Sequence, residues 1–319
     1  MAQDYPKLES SKKWQRIHQF ITTVLKQGIK TTHNRIITCG LLVSLIYGFS
    51  WLRILWQLTL TGSSMTLLNL GFLYLGSESL WKQRHSLASS TVFEDERLIG
   101  YLLILGGVAT FPFCYASTSL QMVIGSIILA GIAMSNWGTR FFTNHLLPVS
   151  LIITSLYPDL GFLSNTVRMW LSQDQLERSM AWLGGLALQA IGQPITIQGT
   201  IISLSQGIRL DKAVEVGAGC SGFDMACTMA GIGLILGLFF KQSPARIVLL
   251  IAIGIFLSLL LNIPRIVLLA FAVVYWGKAA FEFWHGPIGG QIFSGILLTG
   301  YYYIVMALLN KPFPKQKEL

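Results

Sequence analysis

Residues 214–240 read VEVGAGCSGFDMACTMAGIGLILGLFF, and this stretch decides the fold. A glycine-framed cysteine, Cys220, runs into an apolar segment with no charge after Asp224. A bilayer-crossing helix needs about 20 mostly apolar residues, so 222–240 reads as a transmembrane span with a polar loop at its mouth. Similar runs occur at 36–56, 60–80, 98–116, 118–137, 145–162, 245–263 and 287–309. Arg53 and glycines interrupt the first two, and Pro148 and Pro158 break the short run at 145–162. Together they predict an all-α polytopic membrane protein with about eight transmembrane helices.

Composition agrees. Hydrophobic residues make up 53% of the 319 residues and charged residues 12%, with a mean hydropathy of +0.59. A soluble domain carries about 25% charged residues, so this chain cannot coat a globule of its size. The net charge of +9 therefore speaks of membrane topology and not of nucleic-acid binding. The first 35 residues are polar and basic, without the apolar core of a signal peptide. They form a cytoplasmic segment, 1–35, ahead of a single domain, 36–319.

Orientation follows from lysine and arginine. Lys7, Lys12, Lys13, Arg16, Lys26, Lys30 and Arg35 precede the first span. Lys82, Arg84 and Arg97 lie between the second and third spans, and Arg140 follows the fourth. Lys241 and Arg246 mark a later turn, and Lys311, Lys315 and Lys317 the C-terminus. Placing all of them in the cytoplasm requires an even number of crossings and puts 163–219 outside. Within that region, 164–186 interleaves charges with Met169, Trp170, Leu171, Leu176, Met180 and Trp182, as an interfacial amphipathic helix does. Residues 194–204 alternate enough to predict a β-hairpin around Gln198-Gly199, and 212–216 a further strand.

Residues 266–276 are apolar but span only about 16 Å as a helix. A crossing here would send the C-terminal lysines outside and separate His285 from Cys220. A re-entrant or interfacial half-helix keeps both on the outer side.

The chemistry-bearing residues gather at these margins. A cysteine at a helix N-terminus feels unpaired backbone N–H groups, which favour the thiolate and can receive an oxyanion. Gly217, Gly219 and Gly222 allow sharp turning and close approach by a peptide. Asp224 opposes thiolate formation, and Arg265, in Asn262-Ile-Pro-Arg265, is the cation that offsets it. An arginine at membrane depth either marks a functional site or snorkels to headgroups. His285, in FWHGP, is the one histidine on the same side as Cys220; it is a proton shuttle or an interfacial polar residue. Cys39, Cys114 and Cys227 lie within apolar segments and read as small buried hydrophobes. No CxxC pair or zinc-type spacing is present.

The chain resembles the exosortase/archaeosortase family, and within it the cyanobacterial exosortases. The resemblance rests on Cys220-Ser221-Gly222 with Glu215 upstream, on Asn262-Ile-Pro-Arg265-Ile266, and on His285 before a final span. Its specific motifs lie within 214–290. The resemblance implies a cysteine transpeptidase of the bacterial plasma membrane that needs no cofactor or metal. Cys220 would be the nucleophile, His285 the general acid/base and Arg265 the transition-state stabiliser, supported by Glu215, Ser221, Gly222, Asp224 and Asn262. The partners implied are exported proteins with a C-terminal sorting tail, made of a Pro-Glu-Pro motif, a transmembrane helix and a basic cluster. The acyl group would pass to an acceptor amine. Two other classes fit the composition: a transporter, for which internal repeat symmetry is missing, and a non-catalytic scaffold for export, in which Cys220 only packs. A zinc intramembrane protease lacks HExxH.

Overall fold

The computed structural model describes residues 28–309, apart from 62, 64, 89, 90, 159, 172 and 173. The basic positions before 28 and the lysines after 309 lie outside the described residues. The elements, in order, are α1 (Thr32–Leu60), α2 (Met65–Lys82), α3 (Arg84–Ala88), α4 (Glu94–Thr110), α5 (Thr118–Trp137), α6 (Arg140–Asn144) and α7 (Leu146–Leu156). There follow α8 (Gly161–Leu171), α9 (Gln175–Ala190), β1 (Thr196–Gln198), β2 (Ile201–Ser203) and β3 (Ala213–Glu215). The chain closes with α10 (Phe223–Phe239), α11 (Pro244–Phe271), α12 (Lys278–His285) and α13 (Pro287–Leu309).

Each of the eight predicted spans is built as a helix. Five are long and apolar enough to cross a membrane: Thr32–Leu60, Glu94–Cys114, Thr118–Trp137, Pro244–Trp276 and Pro287–Leu309. The predicted span at 145–162 is corrected to the 11-residue α7, which ends before Pro158. Eleven residues rise only about 16 Å, and proline disfavours helix in the residue before it. The segment 266–276 is also corrected. It is no separate half-helix: α11 runs unbroken through Pro264 and ends in a π-helical turn, Ala272–Trp276. The 33 residues from Pro244 to Trp276 rise about 50 Å, against a hydrocarbon core of about 30 Å. Arg265 therefore lies within a helix that outruns the bilayer. The single amphipathic helix predicted over 164–186 is two helices, α8 and α9, joined by the Arg168–Glu177 ion pair at 2.9 Å.

The contacts divide the chain into two compact units. One comprises residues 1–53 and 76–157, the other 54–75 and 158–319. In the first, α4 and α5 pack backbone to backbone. A Cβ placed on Gly100 would lie 2.8 Å from the Gly131 carbonyl, and one on Gly131 2.8 Å from the Gly100 carbonyl. Small residues let apolar helices approach this closely where no hydrophobic force separates lipid from protein. Trp51 Nε1 also donates to the Ser155 carbonyl at 2.9 Å.

In the second unit, α10 and α11 form a hairpin with the same device. A Cβ on Gly254 would sit 2.9 Å from the Met229 carbonyl. Tyr301 of α13 closes against it, its buried hydroxyl donating to the Leu250 carbonyl at 2.9 Å. A second cluster lies over the sheet and contains Met180, Leu188, Ile202, Val214, Val216, Cys220, Ile266 and Leu269. The sheet is antiparallel in the order β1-β2-β3. Its hairpin turns at Gly199, with φ +61, where the sequence predicts it. The sheet thus ties the cysteine loop to the C-terminal half of α11.

Candidate active site

Three elements converge on Cys220. β3 delivers the chain at Glu215, and a 3-10 turn over Ala218–Cys220 folds the Cys220 N–H onto the Gly217 carbonyl at 2.9 Å. Ser221 is fully buried, and its hydroxyl donates to the Ala218 carbonyl at 2.9 Å. It braces the turn and is thereby committed to the backbone. Gly222 then takes φ +80 as the N-cap of α10, a left-handed conformation costly for residues with a Cβ.

α11 supplies the other wall. Asn262 is fully buried, and its Nδ2 donates to the Cys220 carbonyl at 2.8 Å. Its Oδ1 has no hydrogen-bond partner among the described residues. One turn further along, Arg265 is 8% exposed. Its Nη1 contacts the Met225 sulfur at 3.7 Å, while its Nε is buried and has no partner among the described residues. A guanidinium has five donors, and a thioether is a weak acceptor for one of them. The buried cation is therefore left with donor capacity beside the cysteine loop.

The ionisation of Cys220 departs from the sequence expectation. Burial pushes the thiol above the ordinary cysteine range, and the Arg265 charge pulls it part of the way back. Cys220 lies in the turn ahead of Phe223, where the helix begins. Asp224 is exposed and is not among the groups that shift the thiol. The balance at Cys220 is thus burial against arginine, not aspartate against arginine. Glu215 is likewise exposed, at the end of β3.

His285 ends α12. Its imidazole is exposed and stacks on Phe281 at 5.1 Å between ring centroids and 19° between planes. Phe281 and Trp284 pack against the cluster that contains Cys220. α12 is thus fastened to the cysteine's surroundings by its aromatic face, with the imidazole on the rim. Cys220, Asn262 and Arg265 are brought together directly; His285 is connected through Phe281. Two contributors escaped sequence reading: Met225 as the soft partner of Arg265, and Phe281 as the platform for His285. The stretch FDM did carry a signal for the first, since its position in the first turn of α10 faces it toward α11.

Cys39, Cys114 and Cys227 are free and partly buried. No group of three His, Cys, Asp or Glu side chains suited to a metal occurs among the described residues.

No curated protein and no solved structure matches this chain. The model of one family does, that of the transmembrane exosortases (Exosortase_EpsH), over residues 56–302. The match takes in the cysteine loop, Arg265 and His285 and covers well over half of the chain, which therefore belongs to the transmembrane exosortase family.

Proposed function

We propose that this protein is a cysteine transpeptidase that cleaves the C-terminal sorting tails of exported proteins at the outer face of a bacterial plasma membrane. The tails would be of the Pro-Glu-Pro type, and both termini of the enzyme would lie in the cytoplasm. One observation carries the reading: a buried cysteine at the start of the apolar helix α10 lies beside a buried, under-partnered arginine of α11, with Asn262 bound to the cysteine's carbonyl. A non-catalytic scaffold has no use for such a pair, because a buried cation with unmet donors is costly.

The chemistry follows from these positions. Since burial keeps the thiol protonated, attack needs a base, and His285 takes the Sγ proton. The sulfur attacks the tail carbonyl carbon, and the C=O electron pair moves to oxygen. Arg265 and the N–H groups at the start of α10 receive that oxyanion. The C–N bond then breaks, the leaving amine takes the proton from His285, and a thioester remains on Cys220. An acceptor amine attacks the thioester, gives up a proton to His285, and releases the thiol. In its absence, water would give hydrolysis by the same route.

The test is co-expression with an exported protein bearing such a tail, scored by the gel shift on processing. Wild type and Cys227→Ser should process it, and Cys220→Ser should accumulate full-length substrate while still inserting into membranes. Full processing by Cys220→Ser would exclude a cysteine mechanism.

A further inference from the structure

The strand that feeds the cysteine loop has an unpaired edge. β3 pairs with β2 in the register Ile201↔Glu215, Ile202↔Val214 and Ser203↔Ala213. Bonds from Val216 N to the Thr200 carbonyl (2.8 Å) and from Leu204 N to the Lys212 carbonyl (2.9 Å) fix the phase of the ladder. Bonded and non-bonded pairs alternate in an antiparallel ladder. Lys212, Val214 and Val216 therefore turn their backbone groups toward β2, and Ala213 and Glu215 turn theirs away. β3 is an outer strand of the sheet, and among the described residues the N–H and C=O groups of Ala213 and Glu215 have no partner.

Between this edge, where Ala213 is half-buried, and the buried Cys220, the loop is largely exposed. Glu215, Ala218 and Gly219 are exposed, and a Cβ on Gly217 or Gly219 would meet nothing within 4 Å. An exposed edge with free donors and acceptors is a template for another extended chain. The outward groups of Ala213 and Glu215 repeat at two-residue spacing, about 7 Å, which suits an extended peptide. A helix has no free N–H or C=O groups in its interior to meet them.

We propose that the segment of substrate next to the scissile bond adds to β3 as a fourth strand, paired to Ala213 and Glu215, and so brings its carbonyl to Cys220. This rests on the peptidase reading above and specifies how the peptide is held. The tail's helix must then be unwound beside the cleavage site. Alternate residues of an added strand face away from its partner, so proline there removes no bond. In a Pro-Glu-Pro segment the glutamate would occupy a bonding position, and both prolines would point outward.

The experiment uses full-length Cys220→Ala protein in detergent and a fluorescent ten-residue peptide containing one Pro-Glu-Pro, with binding followed by anisotropy. Each non-proline amide of the peptide is replaced in turn by an ester, which removes one N–H. Two replacements, two residues apart, should each weaken binding about fivefold, the worth of one hydrogen bond, with the other positions unchanged. Glu215→Pro, which deletes an outward N–H but no ladder bond, should weaken the parent peptide by a similar factor without changing the circular dichroism spectrum. Esters that act uniformly or not at all, or a peptide that does not bind, would overturn strand addition. Binding is scored without turnover. A peptide that shows the alternation but is never cleaved by the wild-type protein would sink the peptidase reading alone. Cleavage without alternation would sink strand addition alone.

Discussion

At the residue scale the informative position is Arg265. Among the described residues its one hydrogen-bond partner is the Met225 sulfur. If its planar fork receives the oxyanion, Arg265→Lys should cut turnover by about a hundredfold to a thousandfold, the cost of losing one such donor. Tail binding should change much less. A side chain that merely snorkels would tolerate lysine, so near wild-type processing by a normally inserted Arg265→Lys protein would return it to that role. The thiol supplies a second test. Alkylation requires thiolate; burial raises the Cys220 pKa and Arg265 lowers it. Removing the cation in Arg265→Gln should therefore move the alkylation midpoint to higher pH and slow the reaction at pH 8. An unchanged or lower midpoint would show that the two groups are not coupled. Cys220, Arg265 and His285 stand out in the sequence as polar residues at span margins, which is where the proposed chemistry is placed. The direction of the thiol shift was not legible there, because burial depends on what packs around the turn.

At the scale of elements, two glycines hold the site's backbone. A Cβ on Gly222 would lie 3.0 Å from Asn262, at φ +80. Gly222→Ala should thus both strain the turn and push away the side chain that binds the Cys220 carbonyl, costing about 1–3 kcal/mol. The expected readouts are a lower melting temperature and a loss of processing. At the corner between α12 and α13, a Cβ on Gly289 would collide with the Trp284 carbonyl, which is backbone and cannot swing aside. Gly289→Ala should displace α12, and with it His285, and lower processing at least tenfold while Cys220 stays alkylatable. Gly290→Ala, whose Cβ would meet nothing within 4 Å, should be silent. Equal behaviour of the two variants would show that the corner is not what places His285. The hairpin at Gln198-Gly199 and most span positions could be read from periodicity and turn chemistry. The unbroken α11 could not. Pro264 and Arg265 look like a stop, yet proline removes only one helical bond, and the helix continues because Ile266, Leu269 and Ala270 are buried in the cluster around Cys220.

At the scale of the whole molecule, the proposed site requires the cysteine loop and His285 to face the same side of the membrane. The placement of lysine and arginine argues for the β-sheet and α12 on the outer side. Single cysteines at Gln198 and Glu282, both exposed, in a background lacking the native cysteines, should react with a membrane-impermeant maleimide added to intact cells. Protection at either site until the cells are lysed would separate the two halves of the proposed site. That this is a membrane protein, where its apolar helices lie and which polar residues stand at their ends can all be read from the order of its residues. Those properties are local, since twenty apolar residues in a row need no partner to declare themselves. That Asn262 holds the Cys220 carbonyl, that Arg265 is buried beside Met225 and that His285 rides on Phe281 emerges from the folded chain alone. Those pairings join residues far apart in the chain, and the packing of α11 against the cysteine loop, not any run of residues, brings them together.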